Sequence, residues 1–285
     1  MSEIASPRLG EEDIALPELY RSGRRKRARS RAFRFAAYGI GIAVLVAVVL
    51  ASDWKTIGDK YFDLDRVRDQ FPQIITIAAK NTLLYTSLSF VGGVMLGSTM
   101  ALLRLSSIRP YRWFARIYIE IFRGLPAILT ITFVGFIAPI ALKFQYPEMF
   151  GVPTGGIVAL SLVAGAYLAE TIRAGIEAVP KGQVEAARSL GMTHLQTLRS
   201  VVVPQAFRVV IPPLTNELVL LLKDTALLSI LGTTITSKEL TKFGKDGAGD
   251  FNGTPLVVAG MIYLAITIPL TQLVGVLERR NKVPM

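Results

Sequence analysis

The chain has 285 residues, is 51% hydrophobic and 19% charged, and carries a formal net charge of +11. It has no cysteine and one histidine, His194, which excludes disulfides, thiol catalysis, zinc–thiolate sites and an ordinary metal centre built from several histidines. Its apolar residues come in blocks too long for a soluble domain, and its basic residues flank those blocks instead of forming an aromatic-interleaved nucleic-acid patch.

In chain order, residues 1–34 divide into an acidic first half and the basic run Arg24-Arg25-Lys26-Arg27-Ala28-Arg29. They are expected to form a disordered tail that fixes topology and touches anionic lipid. Block 35–52 is the first of six apolar blocks that approach the length of about 20 residues a spanning helix needs. Val49-Leu50-Ala51 resembles a signal-peptidase site. The block is longer than the usual cleaved core of about 7–15 residues, however, so it is expected to stay as a signal anchor. Segment 53–73 sets Asp59, Asp63, Asp65, Arg66, Arg68 and Asp69 around Phe62, Leu64 and Val67, the composition of a short surface helix. Blocks 74–103, 113–142, 155–179, 206–232 and 255–277 complete the spans, and 278–285 is a basic tail.

Lysine and arginine set the orientation. Segments 1–34, 104–116, 179–208 and 278–285 hold 20 of the 32 Lys and Arg residues, and segments 53–73, 142–154 and 234–254 hold 8. With acids included, the first set is +13 and the second −1. The expectation is an all-α protein with six spans and both termini cytoplasmic.

Within the spans stand Glu120, Glu170, Glu177, Glu217 and Asp224, with Lys80, Arg123, Arg173 and Lys223. A charge at a helix centre costs about 2.5–3.5 kcal/mol on insertion scales, so lipid-facing unpaired placement is disfavoured. Glu120 with Arg123, Glu170 with Arg173 and Arg173 with Glu177 have pairing spacings. Glu217 and Asp224, at i,i+7 with Asn216 and Thr225 nearby, give the fifth span a polar face. That face suits either a water-accessible path or an interhelix contact. Gly124-Leu125-Pro126 should break the third span, where Pro139 follows, and Pro212-Pro213 should kink or break the fifth. Gly92, Gly93 and Gly97 have the spacing of close helix packing.

The segment 180–204 between spans four and five is punctuated. Pro180 suits the first turn of a short helix, Gly191 its left-handed stop, and Thr193 with Gln196 a capping box for a second helix that carries Leu195, Leu198 and Val202 and ends at Pro204. Small Ala186 and Ala187 keep one side thin, and Glu185 adds an orienting charge. A docking element for a protein outside the bilayer is the expected result.

Glu185-Ala186-Ala187, Gly191 and Val203-Pro204 resemble the EAA loop of permease subunits in ABC importers. Tyr167, Ala169-Glu170, Arg173, Gly175 and Lys181-Gly182-Gln183 are similar to the polar amino-acid branch (histidine, glutamate and glutamine type). So are Asn81-Thr82-Leu83, Phe122-Arg123-Gly124 and Lys223-Asp224-Thr225. Leu125 stands where that branch commonly has threonine, and Thr130 is the nearest match to its glutamine. The resemblance implies a type I importer permease domain over 74–277 with a core of five helices, in the cell (plasma or inner) membrane. It also implies that Gln183, Glu185, Ala186, Ala187, Gly191 and Pro204 couple to a cytoplasmic ABC ATPase dimer. Glu120, Arg123, Glu170, Asn216, Glu217 and Asp224 are the candidate pathway residues. The other partners implied are an extracytoplasmic solute-binding protein, a second permease chain (identical or related) and the lipid bilayer, with no nucleic acid. No G-x-x-x-x-G-K-[ST] phosphate loop occurs, so the chain is expected to be a transport subunit and not an enzyme, without cofactor or metal, its partner binding the ATP. The rival readings are an ion-coupled secondary transporter using Glu217, Asp224 or Glu120, a membrane scaffold, and an intramembrane enzyme.

Overall fold

The computed structural model describes residues 15–232 and 234–281. Residues 1–14 of the expected tail and 282–285 of the C-terminal tail lie outside them. The described residues fall into two compact units that divide between Ile57 and Gly58.

In the first unit α1 (Ala15–Ala51) is one helix. The basic run therefore lies on helical backbone, where a disordered tail was expected. Its apolar part, Phe33–Ala51, is long enough to span a bilayer. Trp54 Nε1 donates to the Val49 carbonyl at 2.7 Å, satisfying one of the acceptors a helix end leaves open. The short helix α2 (Trp54–Tyr61) follows.

The second unit includes α3 (Leu64–Gln70), capped by the Asp63 carboxylate, which accepts from the amides of Asp65 and Arg66. The sequence suggested a separate outer segment over 53–73. Its latter part is instead stitched to the last loop. Gly253 donates its N–H to the Lys60 carbonyl at 2.7 Å, Asn252 donates to Asp63 Oδ2 at 3.1 Å, and the Asp63 amide donates to Thr254 Oγ1 at 3.1 Å.

A π-helical turn, Ile74–Ala79, leads into α4 (Lys80–Leu105). The third span is α5 (Arg109–Gly124) followed by α6 (Ala127–Thr132), a π turn Phe133–Ile137, and α7 (Ala138–Leu142). Extended Leu125 and Pro126 separate its halves, and the chain bends there by 107°. Pro139 sits harmlessly in the first turn of α7. Strands β1 (Glu148–Met149) and β2 (Val152–Pro153) form a minimal antiparallel hairpin before α8 (Thr154–Glu177).

Next come α9 (Lys181–Ser189), α10 (His194–Thr197), a π turn Leu198–Val202, and α11 (Val203–Asp224). The second loop helix does not end at Pro204. It passes through the π turn into α11, where Pro204 occupies the first turn and lacks only a donor that position leaves unused. Nor does Pro212-Pro213 break the fifth span, since α11 runs through both. The Thr215 hydroxyl donates to the Pro212 carbonyl at 2.8 Å, engaging backbone beside the break in the helical ladder. Short 3₁₀ turns and α12 (Leu240–Gly247) lead to α13 (Thr254–Asn281).

Among the described residues five helices are long and apolar enough to cross a membrane, and the bent third span makes six. Helix α8 is central. Its partner α4 comes close because a Cβ on Gly93 would lie 3.0 Å from Ala164 Cβ, and one on Gly97 would lie 2.8 Å from Leu168 Cβ. Tyr85, Ile131, Leu160, Leu168, Leu221 and Leu228 bury the seam where α4, α6, α8 and α11 meet.

Candidate functional site

The loop between α8 and α11 is built from local chemistry. Helix α9 ends in a Schellman motif: Gly191 N–H donates to the Arg188 carbonyl at 3.0 Å and Met192 N–H to the Ala187 carbonyl at 3.2 Å. Gly191 has φ +83, a conformation that costs an L-residue about 1–2 kcal/mol. Arg188 Nη1 holds the turn by donating to the Met192 carbonyl at 2.9 Å. The capping box then forms as its spacing requires, with Thr193 N–H to Gln196 Oε1 at 2.8 Å and Gln196 N–H to Thr193 Oγ1 at 3.3 Å.

The predicted coupling residues divide by exposure. Gln183, Glu185, Ala186, Gly191 and Pro204 face outward, whereas Ala187 is buried. Its methyl therefore lets α9 sit closely and is not part of a thin outer side. Val179, Val202 and Ala206, with Ile176, Val184 and Leu198, form the small cluster that roots the loop. Leu195 leaves that apolar face and is 72% exposed, and Leu190 at the turn is 85% exposed. Sequence reasoning passed over Leu190, although an apolar residue beside a helix-stopping glycine was the available signal.

The pathway candidates separate into two groups. Glu217 and Asp224 both line a cavity of about 340 Å³, together with Leu125 and Ala127 at the break in the third span and Tyr167 of α8. Arg123 lies over the Tyr167 ring, 5.4 Å from its centroid. No Glu120–Arg123 ion pair is found among the described residues, because Arg123 turns to α8. Glu120 and Asn216 are exposed and outside the cavity lining. Glu170 is engaged elsewhere: Arg173 bridges it to Glu177, as the spacing predicted. Tyr167 and Leu125 were quoted for their motifs, not for the cavity, since the packing of α8 on α11 brings the first there and the bend of the third span the second.

At the far end of α11 the polar side chains point inward. Asn81 of α4 donates to the carbonyls of Thr236 (2.7 Å) and Lys238 (3.0 Å), and Thr82 Oγ1 accepts from the Leu240 amide at 3.1 Å. Glu239 is 1% exposed and accepts from the Thr241 and Lys242 amides at 2.6 and 2.5 Å and from the Tyr263 hydroxyl at 3.0 Å. Burial raises its carboxyl above the ordinary glutamate range, against the lowering effect of those donors.

Comparison with known proteins fits this architecture. Residues 93–283 match the family described as binding-protein-dependent transport system inner membrane component. The arginine transport system permease protein ArtQ of Bacillus subtilis (strain 168) is 36% identical over 202 residues, covering 70% of this chain and 89% of the relative. The L-cystine transport system permease protein TcyB of the same organism is 36% identical over 218 residues, 76% of this chain and 90% of the relative. A solved structure of an amino acid ABC transporter with histidines superposes with TM-score 0.67 at 35% identity, covering 76% of this chain and 97% of that one. A bent third span, a punctuated loop feeding α11 and this breadth of likeness lead to one assignment: the chain belongs to the family of binding-protein-dependent transport system inner membrane components.

Proposed function

We propose that this chain is the membrane-spanning subunit of an ATP-driven importer for polar amino acids. The observation that carries the reading is continuity: α11 is one helix that begins at the punctuated loop and ends at the cavity carboxylates Glu217 and Asp224. A movement imposed at the loop thus has one helical path to the cavity, through Pro212-Pro213, where the Thr215 hydroxyl engages the Pro212 carbonyl. The positive-inside count supports a cytoplasmic loop and cytoplasmic termini. There the exposed Gln183, Glu185, Ala186, Gly191 and Pro204 present themselves to an ATPase dimer, which binds the ATP. A solute-binding protein delivers the amino acid on the other side, and a second permease chain, identical or related, completes the path.

Inverting a two-state population from 1:99 to 99:1 requires about 5.5 kcal/mol of differential binding. A loop stiffened by a Schellman stop and a capping box transmits such a bias, whereas a frayed one dissipates it. In the cavity, two carboxylates favour a solute with a cationic group, so a basic amino acid should be preferred over a neutral one and an acidic one excluded.

The test is uptake by vesicles holding the chain with its ATPase and binding protein, with arginine, glutamine and glutamate as solutes. Glu217→Gln and Asp224→Asn should each lower uptake of the basic solute at least about tenfold, the scale of one lost charge-assisted contact. Uptake that persists without the ATPase and collapses with an ionophore would replace this reading by ion-coupled transport.

A further inference from the structure

Lys80 opens α4 on an exposed face. Arg173 pairs with Glu170 and Glu177, and Asp246 with Lys238 and Lys242, whereas Lys80 has no ion pair among the described residues. The candidate span Ile74–Leu105 has 32 residues, a length of about 48 Å at 1.5 Å per residue against a hydrocarbon core of about 30 Å. With the excess shared between its ends, about 9 Å at each end lies in the headgroup region, and Lys80 is six residues in, at the boundary of the hydrocarbon.

Below Lys80 runs a groove of about 610 Å³ between α4 and α13. Leu83, Leu84 and Ser87 form one wall at i+3, i+4 and i+7 from Lys80, so they lie on its face of the helix. Ile262 and Ile266 form the other. These positions lie 9–13 residues into the span at Ile74–Leu105 and 8–12 residues into the span at Thr254–Val276. The two walls are therefore level, and the groove heads from the cation towards the bilayer midplane. We propose that this groove holds one acyl chain of an anionic phospholipid whose phosphate pairs with Lys80. The proposal depends on the two spans crossing the membrane, and not on the solute or the ATPase. A helix of a second copy fits the apolar walls but leaves the ammonium, at the outer end of α4, unpaired unless it brings an acid, so the lipid is the occupant the charge favours.

The measurement is the immobilised fraction of spin-labelled phosphatidylglycerol and phosphatidylcholine on the delipidated full-length chain. Wild type should prefer phosphatidylglycerol, and Lys80→Gln should weaken that lipid's binding about fivefold, corresponding to about 1 kcal/mol, the upper end for a solvent-accessible ion pair. Lys80→Arg should restore it. Ala265→Trp, which fills the groove without altering charge, should weaken both lipids. Unchanged phosphatidylglycerol binding in Lys80→Gln overturns the proposal. So does displacement of the lipid by equimolar inorganic phosphate, which would make this a bare anion site. Crosslinking of Ser87→Cys to a second permease chain in place of retained lipid also overturns it.

Discussion

The two ends of α11 are built in opposite ways. At its start, the loop 180–204 gets its shape from backbone devices: a left-handed glycine, a Schellman pair and a capping box. It leaves apolar and charged side chains, Leu190, Leu195 and Glu185, facing outward. At its finish, the segment leading to α13 gets its shape from buried side chains on other elements, with Asn81, Thr82 and Tyr263 all holding it. The first end can lose an outward side chain such as Leu190 or Leu195 and keep its fold, because those side chains are not part of the turn, the capping box or the cluster that roots the loop. The second cannot, because each side chain removed strands a buried partner. A moving lever needs the first kind of construction where another protein grips it, and the second kind where it must be anchored.

Substitutions sharpen this contrast. The largest loss of stability is expected from Glu239→Ala, which strands two amides and the Tyr263 hydroxyl. At about 1 kcal/mol or more for each unsatisfied buried group, the total is about 3 kcal/mol or above. Thermal unfolding of the purified protein reads it. The same residue carries a pH dependence. Its folded carboxyl is raised, so the stability it contributes is complete below the ordinary glutamate range and is lost as pH rises through the raised value. The melting temperature of wild type relative to Glu239→Gln should accordingly rise on acidification and fall towards neutral pH. Asn81→Ala comes next, at about 2 kcal/mol for the two carbonyls deprived of a donor. The smallest change belongs to the loop. Leu190→Ala and Leu195→Ala should shift stability by no more than about 0.5 kcal/mol, yet weaken capture of the ATPase subunit in a pull-down. A loop variant as destabilising as Glu239→Ala would erase the distinction.

What was legible in the sequence follows the same division. The stop at Gly191, the Thr193–Gln196 box, the Arg173 pairings and the break at Gly124-Leu125-Pro126 depend on residues within a few positions of one another, so spacing reveals them. Pairs formed across the fold were not legible. The prolines at 212 and 213 read as a kink or a break, and α11 passes through them without interruption. The burial of Ala187 and the turning of Arg123 to Tyr167 likewise depend on elements distant in sequence. The burial of Glu239 was no more legible, since it depends on α13, whose Tyr263 hydroxyl donates to it. Of the six pathway candidates, spacing put Glu217 and Asp224 on one face, and both line a cavity that also takes Leu125 and Ala127 from the bend of the third span.

The central claim is that the loop 180–204 transmits the ATPase movement to the cavity. Gly191→Trp tests it most directly. No atom lies within 4 Å of an added Cβ there, so the bulk points away from this chain and towards whatever docks. The backbone cost of about 1–2 kcal/mol leaves insertion and folding intact. In the reconstituted complex with its ATPase and binding protein, the account predicts that substrate no longer raises ATP hydrolysis above its basal rate. Full stimulation in that variant would contradict it.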